Sequence, residues 1–227
     1  MDQKRRIGIY GGTFDPVHIG HVAIAEGVAE LFEIDEIIFV PALLAPHKLH
    51  RPVTSHLHRL AMLALATQFN DRLRVSAFEI EAADRRYTVD TVTHFRSQLG
   101  EEAQLFFIMG ADSWADITTW KDWERLLQIT NHIVVMRPNI VLRTSHVPES
   151  VRENILDLRG VKELPVTARE RKSPAIFITD GVLVDLSATE VRRAASEQRF
   201  ADLKRMTPEP VTRYIAKYDL YRDWNET

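Results

Sequence analysis

The chain has 227 residues, with 29 Lys and Arg against 32 Asp and Glu, a formal net charge of -3, 45% hydrophobic residues and no cysteine. This ordinary globular composition excludes a disordered chain, a collagen-like repeat and a disulfide scaffold. The lack of cysteine excludes thiolate nucleophiles and cysteine-based zinc sites. Because no apolar stretch approaches the roughly 18–20 residues of a membrane span and no signal-peptide core follows the charged beginning, we expect a cytoplasmic protein without a membrane partner.

Short apolar segments alternate with segments of helical period along the chain. The strand candidates, rich in Ile, Val and Phe, are residues 7–10, 36–40, 73–78, 104–109, 132–136 and 175–179. Between them, apolar residues recur every three or four positions, as in Ile24, Val28 and Leu31. This alternation predicts an α/β, Rossmann-like, doubly wound and mostly parallel sheet with helices on both faces. In such a sheet, ligands bind at the carboxyl ends of the strands.

The second half of the chain contains a polar stretch, residues 139–173, that is typical of a solvated connection. After it we expect a short strand over 182–186 and two helices, over 188–198 and 210–221. No repeat and no change in composition marks a boundary. We therefore expect one domain over 1–227, with a helical C-terminal part over about 187–227.

The first strand candidate leads into the sequence GGTFDPVHIGH at residues 11–21. Two glycines allow a sharp turn and a close approach of the backbone to a ligand, and the helix N-terminus that follows attracts anions. His18 and His21, three residues apart, share one face of the first helical turn and point at the same phosphate group. Gly20 keeps the helix surface low beside a base or a ribose.

Other interpretations of this segment depend on residues that it lacks. It has neither the G-x-G-x-x-G pattern of dinucleotide-binding proteins nor the lysine of a P-loop. A metal site is disfavoured because the chain has no cysteine and no HExxH motif near the two histidines. The structural alternative is a simple turn followed by two surface histidines. The combination of both features at the end of a first strand favours a phosphate site.

The motif resembles the signature of the H-x-G-H nucleotidyltransferases, and within that superfamily the chain is most similar to bacterial nicotinate-nucleotide adenylyltransferases. Five further segments carry the narrower resemblance: PHK at 46–48, YTVDT at 87–91, GADS at 110–113 with Trp120 and Trp123, RP at 137–138, and LSATEVR at 186–192. The resemblance spans nearly the whole chain. One departure is Ala45, which precedes Pro46 where the family commonly has a second proline.

The resemblance implies transfer of AMP from ATP to nicotinic acid mononucleotide, giving deamido-NAD and pyrophosphate, with Mg²⁺ held mainly by ATP phosphates and water. It implies catalytic roles for His18, His21, Lys48 and Arg192. The ATP contacts expected are Gly11, Gly12, Thr13, Phe14, His18, Gly20, His21, Ser187, Thr189 and Arg192. The mononucleotide contacts expected are Thr13, Asp15, His47, Lys48, Tyr87, Thr88, Asp90, Gly110, Asp112, Trp120 and Arg137. No nucleic-acid partner is expected, and a homo-oligomer is left open.

Several alternatives stay open at this point. The acceptor is alternatively nicotinamide mononucleotide or phosphopantetheine, and a different class of function is a non-catalytic nucleotide sensor or an RNA-binding protein that uses the basic stretch 143–172. Individual residues also have structural interpretations. Ser187 or Thr189 is suited to cap a helix, as are Thr88 and Asp90. Trp120 has helical spacing with residues 123 and 127, and Lys48 suits an exposed loop.

Overall fold

A computed structural model describes residues 4–43, 53–81, 87–138, 140–169, 171, 173–182 and 184–225. Its seven strands are β1 (Arg5–Gly12), β2 (Glu36–Pro41), β3 (Leu73–Val75), β4 (Ala103–Gly110), β5 (Asn131–Val135), β6 (Ile155–Asp157) and β7 (Ile176–Thr179). They form one sheet in the order β3-β2-β1-β4-β5-β7-β6, and every neighbouring pair is parallel. The predicted parallel α/β sheet is confirmed.

The sheet lies between two apolar cores, and β4 shows how the sequence builds both. Phe106 and Ile108 pack into one core, whereas Leu105, Phe107 and Met109 pack into the other. Successive side chains of a strand point to opposite faces, so a strand buried on both faces is a continuous apolar run. The run from residue 105 to 109 is therefore typical of a central parallel strand.

Helices cover both faces, as the alternating pattern predicts. They are α1 (Ile19–Leu31), α2 (His56–Thr67), α3 (Thr88–Leu99), α4 (Ala111–Ala115), α5 (Trp123–Ile129), α6 (Glu149–Arg152), α7 (Val166–Arg169), α8 (Ala188–Ser196), α9 (Phe200–Met206) and α10 (Glu209–Lys217), with a 3₁₀ turn at Ile117–Thr119. Val28 of α1 and Ile215 of α10 bury in one core, and Val92 of α3 buries in the other. Within the described ranges, no helix has both the length and the apolar character needed to cross a membrane.

The order of the strands reverses around β1, and this reversal positions the site. Ile9 of β1 stands in register with Ile38 of β2 on one side and with Phe107 of β4 on the other. The connections that leave β1 and β4 cover opposite faces, so a crevice opens between them at the carboxyl ends of these strands. Gly11 and Gly12 are the last two residues of β1 rather than the turn that the sequence predicted. The turn follows them, over residues 13–17, and lies at this position; it is called the glycine turn below.

Two expectations about the second half of the chain are wrong. The polar stretch contains α6, α7 and the edge strand β6, which pairs with β7 through Leu156 and Phe177. No strand forms over the described residues of 182–186. The chain leaves the sheet after β7 because the Gly181 N–H donates to Oγ1 of Thr179 in a local turn.

Three bounds also differ from expectation. The third strand ends at Val75 rather than at residue 78, because the Phe78 N–H donates to Oγ of Ser76 and turns the chain. The helix expected over 188–198 ends at Ser196, and α9 follows as a separate helix that the sequence pattern did not indicate. The last helix, α10, ends at Lys217 instead of residue 221.

Candidate active site

A cavity of ≈ 580 Å³ opens at the carboxyl ends of β1 and β4. Most residues expected at the site line it, from five separate segments of the chain: Gly11, Gly12, Thr13, Phe14, Asp15, His18, Gly20, His21, Tyr87, Thr88, Gly110, Asp112, Trp120, Arg137, Ser187, Thr189 and Arg192. Asp90 is not among the lining residues, and its carboxylate accepts a hydrogen bond from the Tyr87 N–H. His47 and Lys48 lie outside the described residues.

Two aromatic rings pack against the glycines at the end of β1. A Cβ on Gly12 would lie 2.9 Å from the ring of Phe14, and one on Gly11 would lie 3.2 Å from the ring of Phe107. Phe14 itself has a φ of 50°, in the left-handed region that side chains rarely adopt. The two glycines therefore admit the aromatic floor of the cavity as well as bringing the backbone to its surface.

His18 and His21 stack on each other at the start of α1, with ring centroids 3.7 Å apart and an interplanar angle of 30°. The backbone N–H of His18 donates to Nδ1 of His21 over 3.2 Å. Because a backbone N–H only donates, this Nδ1 carries no proton, and neutral His21 has its proton on Nε2. Nε2–H of His21 is thus a hydrogen-bond donor.

His18 is the more deeply buried histidine of the pair, with 3% of its surface exposed. Its Nδ1 has no hydrogen-bond partner in the described part of the chain. Burial, reinforced by the charge of Arg137, lowers the pKa of His18 to about 4. His18 is therefore neutral near pH 7.

Gly20 lies against the His18 ring. The lack of a side chain at Gly20 makes room for protein groups, whereas the sequence suggested room for a base or a ribose. A Cβ at Gly20 would come within 3.0 Å of Nδ1 of His18 and 3.1 Å of Cγ1 of Val184. The low helix surface accommodates the His18 imidazole and the Val184 side chain. Gly20 remains part of the cavity wall.

Arg192 of α8 contributes a buried cation to the cavity, with 9% of its surface exposed. It donates from Nη1 to the carbonyl oxygen of Asp15 over 2.6 Å and from Nη2 to Oγ1 of Thr189 over 3.0 Å. Arg192 forms no ion pair with any residue in the described ranges. A buried charge requires an opposite charge or several hydrogen bonds, so an un-neutralised guanidinium at a cavity wall favours an anionic ligand.

Asp15 holds the turn together through its own side chain. Its Oδ1 accepts a hydrogen bond from the Tyr221 hydroxyl over 2.8 Å, and its Oδ2 accepts one from the Thr54 N–H over 3.3 Å. Asp15 is 6% exposed, and both carboxylate oxygens accept hydrogen bonds from the protein. Its geometry is that of a structural group of the turn.

The start of α8 combines a cap with a wall of the cavity. Oγ of Ser187 accepts a hydrogen bond from the Glu190 N–H over 3.2 Å, and Oε2 of Glu190 accepts one from the Ser187 N–H over 2.8 Å. This reciprocal pair is a capping box, so the structural interpretation of Ser187 is confirmed. The hydrogen bonds from Ser187 lower the pKa of Glu190. Ser187 and Thr189 still face the cavity.

The opposite wall is aromatic. Trp120 follows the 3₁₀ turn, is half-buried, and packs edge-on against Phe107 with centroids 6.2 Å apart. It precedes α5, which begins at Trp123, so Trp120 is not a residue of that helix. Lys121 places Nζ 4.6 Å from the ring centroid of Tyr87. This wall offers an indole face and a cation beside it.

Comparison with known proteins identifies the family. Residues 9–194 match the Cytidylyltransferase-like family. Over 222 residues the chain is 39% identical to a probable nicotinate-nucleotide adenylyltransferase of Thermoanaerobacter sp. (strain X514), covering 98% of this chain and 97% of that one. A relative of the same name from Moorella thermoacetica is 38% identical over 217 residues, covering 96% and 92%. The chain belongs to the nicotinate-nucleotide adenylyltransferase family.

The fold of this adenylyltransferase family is also found among solved structures. The Plasmodium falciparum nicotinic acid mononucleotide adenylyltransferase complexed with NaAD superimposes with a TM-score of 0.69 at 21% identity, covering 97% of this chain and 98% of that one. The same enzyme complexed with APC gives a TM-score of 0.67. At this level of identity, the likeness concerns the fold.

Arg59 organises the backbone beside the cavity of this adenylyltransferase, and the sequence did not indicate this role. Its guanidinium is 1% exposed and donates to the carbonyl oxygens of Thr13, Ala42, Leu43 and Thr54 over distances of 2.6 to 3.2 Å. It thereby ties the glycine turn to the connection between β2 and α2. A signal was present, because an arginine three and four residues before Met62 and Leu63 lies on the apolar face of its helix.

Glu79 and the Asp112–Arg137 pair complete the charges at the cavity. Oε1 of Glu79 accepts a hydrogen bond from the Thr91 hydroxyl over 2.6 Å, and burial raises the pKa of Glu79. Asp112 and Arg137 form an ion pair of 3.2 Å. The sequence indicated Asp112 and Arg137 as separate site residues but not the ion pair between them. Glu79 was not indicated, because it follows the third strand and belongs to none of the motifs.

Proposed function

We propose that the chain transfers AMP from ATP to nicotinic acid mononucleotide, giving deamido-NAD and releasing pyrophosphate. The observation that carries this proposal is the convergence of a stacked histidine pair, a buried un-neutralised Arg192 and the indole of Trp120 on one cavity. Relatives that are 39% and 38% identical over nearly their whole length are named for this activity. The reaction would take place in the cytoplasm, where we expect the protein.

The chemical step is an in-line displacement at phosphorus. An oxygen of the 5′-phosphate of the mononucleotide attacks the α-phosphorus of ATP, the bond from that phosphorus to the β-phosphate oxygen breaks, and pyrophosphate leaves. The attacking phosphate is already anionic near neutral pH, so the step needs no strong general base. Catalysis then consists of positioning the two substrates and stabilising charge on the phosphates.

The histidines and the glycine turn would contact the transferring phosphate. Nε2–H of His21 donates to a non-bridging oxygen, while neutral His18 stacks against His21 and contacts the same phosphate. The backbone amides of Thr13 and Phe14 hold the α-phosphate, and Gly11, Gly12 and Gly20, which line the same cavity, are also assigned to ATP.

The departing pyrophosphate would lie between Arg192 and the N-terminus of α8. Ser187 and Thr189 face the cavity there, and a helix N-terminus favours anions. The guanidinium of Arg192 takes up the charge that develops on the leaving group. Lys48, which is outside the described residues, is assigned the same task because a flexible ammonium suits a triphosphate.

The nicotinate moiety would stack on Trp120. An electron-poor pyridine ring stacks well on an indole face. Tyr87, Thr88, Gly110, Asp112 and Arg137 line the cavity and are assigned to the mononucleotide. His47, which is outside the described residues, is assigned to it as well. Asp15 and Asp90 keep the structural hydrogen bonds described above and act on the substrate only through the turns that they hold.

Mg²⁺ would enter as the complex with ATP. Among the described residues, no group of three or more His, Asp or Glu side chains is arranged to hold a metal ion. Mg²⁺ commonly keeps several waters and binds through substrate phosphates, so the cavity residues would bind MgATP through the nucleotide. We assign no nucleic acid to this cavity.

A pyrophosphate-release assay tests the proposal. ATP and Mg²⁺ are supplied with nicotinic acid mononucleotide, nicotinamide mononucleotide and phosphopantetheine in parallel reactions. We expect the highest kcat/KM with nicotinic acid mononucleotide. A preference for nicotinamide mononucleotide or phosphopantetheine would reassign the acceptor, and turnover with none of the three would refute adenylyl transfer.

A further inference from the structure

Tyr221 and Trp224 contact two residues that line the active-site cavity, Asp15 and Arg192. The hydroxyl of Tyr221 donates to Oδ1 of Asp15 over 2.8 Å. The Trp224 ring centroid lies 5.1 Å from the guanidinium carbon of Arg192. Neither Tyr221 nor Trp224 lines the cavity itself. Asp15 and Arg192, which do line the cavity, connect them to it.

The Trp224 contact completes the support of the Arg192 side chain. The two hydrogen bonds to Asp15 and Thr189 use Nη1 and Nη2, which lie in the guanidinium plane. The indole of Trp224 lies near the guanidinium and restricts it by a cation–π contact. A planar cation held in these two ways has fewer orientations, and its remaining N–H groups are pre-positioned for an anion.

The Tyr221 hydroxyl supports the same arginine indirectly. Asp15 accepts from Arg192 through its carbonyl oxygen and from Tyr221 through its carboxylate, so Tyr221 fixes the residue that orients Arg192. Burial and the adjacent Asp15 carboxylate raise the pKa of Tyr221 well above its usual value, so its hydroxyl stays protonated and able to donate. Tyr221 has a φ of 67°, a strained conformation that its packing must maintain.

We propose that Tyr221 and Trp224 are positioning residues that hold Arg192 in place for the pyrophosphate group of ATP. This inference rests on the proposed function for its catalytic consequence, because Arg192 is there assigned to the leaving group. Its binding consequence does not depend on turnover. The affinity of the protein for inorganic pyrophosphate should depend on Trp224 only while Arg192 is present.

The first experiment measures pyrophosphate binding by calorimetry. We expect Trp224→Ala to weaken binding about tenfold, in line with a partly desolvated cation–π contact. Trp224→Phe keeps an aromatic face and should stay within about threefold of wild type. Tyr218→Ala is the matched control, because Tyr218 also lies after α10 but packs against Tyr214 and His58 and does not line the cavity. A loss as large in Tyr218→Ala as in Trp224→Ala would overturn the proposal.

A double-mutant cycle distinguishes positioning from general destabilisation. In an Arg192→Ala background, Trp224→Ala should cause no further loss of pyrophosphate affinity. Tyr221→Phe, which removes only a hydroxyl and keeps the ring, should weaken binding in wild type and not in Arg192→Ala. Losses that multiply in the double variants would show that the aromatic residues act independently of Arg192 and would refute the inference.

Turnover separates this inference from the proposed function. In wild type, Trp224→Ala should lower kcat about tenfold and leave the KM for nicotinic acid mononucleotide within about twofold. If wild type shows no turnover but the binding cycle behaves as stated, adenylyl transfer fails and the positioning role stands. If wild type turns over and the binding losses are additive, the positioning role fails alone.

Discussion

The hydrogen bond from the His18 N–H to Nδ1 of His21 gives the two histidines of the motif different roles at the cavity. His21 receives a fixed tautomer from the backbone of the residue three positions earlier, and its Nε2–H is the donor. His18 is buried, neutral and stacked against it. The pair therefore acts as one oriented donor with a supporting ring.

Replacing His21 tests which of its two nitrogens matters to the rate. His21→Ala should lower kcat by roughly 10²–10⁴, the range for loss of an electrostatic donor. His21→Asn retains an acceptor near the Nδ1 position and should preserve the turn while losing a similar factor. His21→Gln places a donor near the Nε2 position and should recover part of the rate. Steady-state kinetics with thermal melts measures this, and a His21→Asn variant as active as wild type would contradict it.

Trp120→Ala tests the stacking wall. We expect the KM for the mononucleotide to rise roughly tenfold to a hundredfold, because stacking of a base on an aromatic side chain is worth about 1–3 kcal/mol. The KM for ATP should change little. Trp123→Ala is the control, since Trp123 is a half-buried residue of α5 that does not line the cavity. If the KM for the mononucleotide is unchanged in Trp120→Ala, the nicotinate ring does not stack on Trp120.

Arg59→Ala should destabilise the fold by about 3 kcal/mol or more, because four carbonyl oxygens lose a charged donor in a buried position. Arg59→Lys should restore only part of this, since an ammonium has three N–H groups and cannot span the same set. Urea denaturation measures the effect. Arg72→Ala, at an exposed position after α2, should change stability by less than about 0.5 kcal/mol.

His132 in β5 should make the stability of the fold depend on pH. It is 0% exposed, and burial lowers its pKa to about 3 from the ordinary 6.5. Between these values only the unfolded chain takes up the proton, so the stabilisation is complete above pH 6.5 and is lost as the pH falls. From pH 7 to pH 5 this residue should cost about 2 kcal/mol.

His132→Leu provides the comparison for that prediction. His18 contributes a loss of the same sign, so the wild type and the variant must be compared over the same pH range. Urea midpoints at pH 7 and pH 5 should show a loss of stability about 2 kcal/mol smaller in His132→Leu. Equal losses in both proteins would mean that His132 is protonated in the folded state.

The sequence predicted those features whose physical causes are local. Apolar periodicity located β1, β4 and α1, because regular elements depend mainly on neighbouring residues. The segment with the two glycines, His18 and His21 lines the cavity, as its position after the first strand predicted. Edge strand β6 was not predictable in this way. It has three residues and acquires its identity from pairing with β7.

The contacts that organise the cavity were the least predictable part. Tyr221 reaches Asp15 across 206 positions, and Arg59 bonds carbonyl oxygens, which every residue has. The position of Arg59 on an apolar helix face predicts its burial, but nothing in the residue types predicts which partners Arg59 or Tyr221 contacts. Asp15 was expected to contact the mononucleotide; it lines the cavity, and its carboxylate also accepts hydrogen bonds from Tyr221 and Thr54, which the sequence did not indicate.

The hydrogen bond between Asp15 and Tyr221 affects when, during synthesis, the anion site at Arg192 can form. During synthesis, Asp15 is added 177 positions before Arg192 and 206 positions before Tyr221, so the glycine turn has neither partner while the residues between are made. The parallel sheet can begin to assemble in that interval, whereas the anion site cannot be completed. Pyrophosphate affinity should therefore be weak in nascent chains that stop before residue 221 and should rise once that residue has been added.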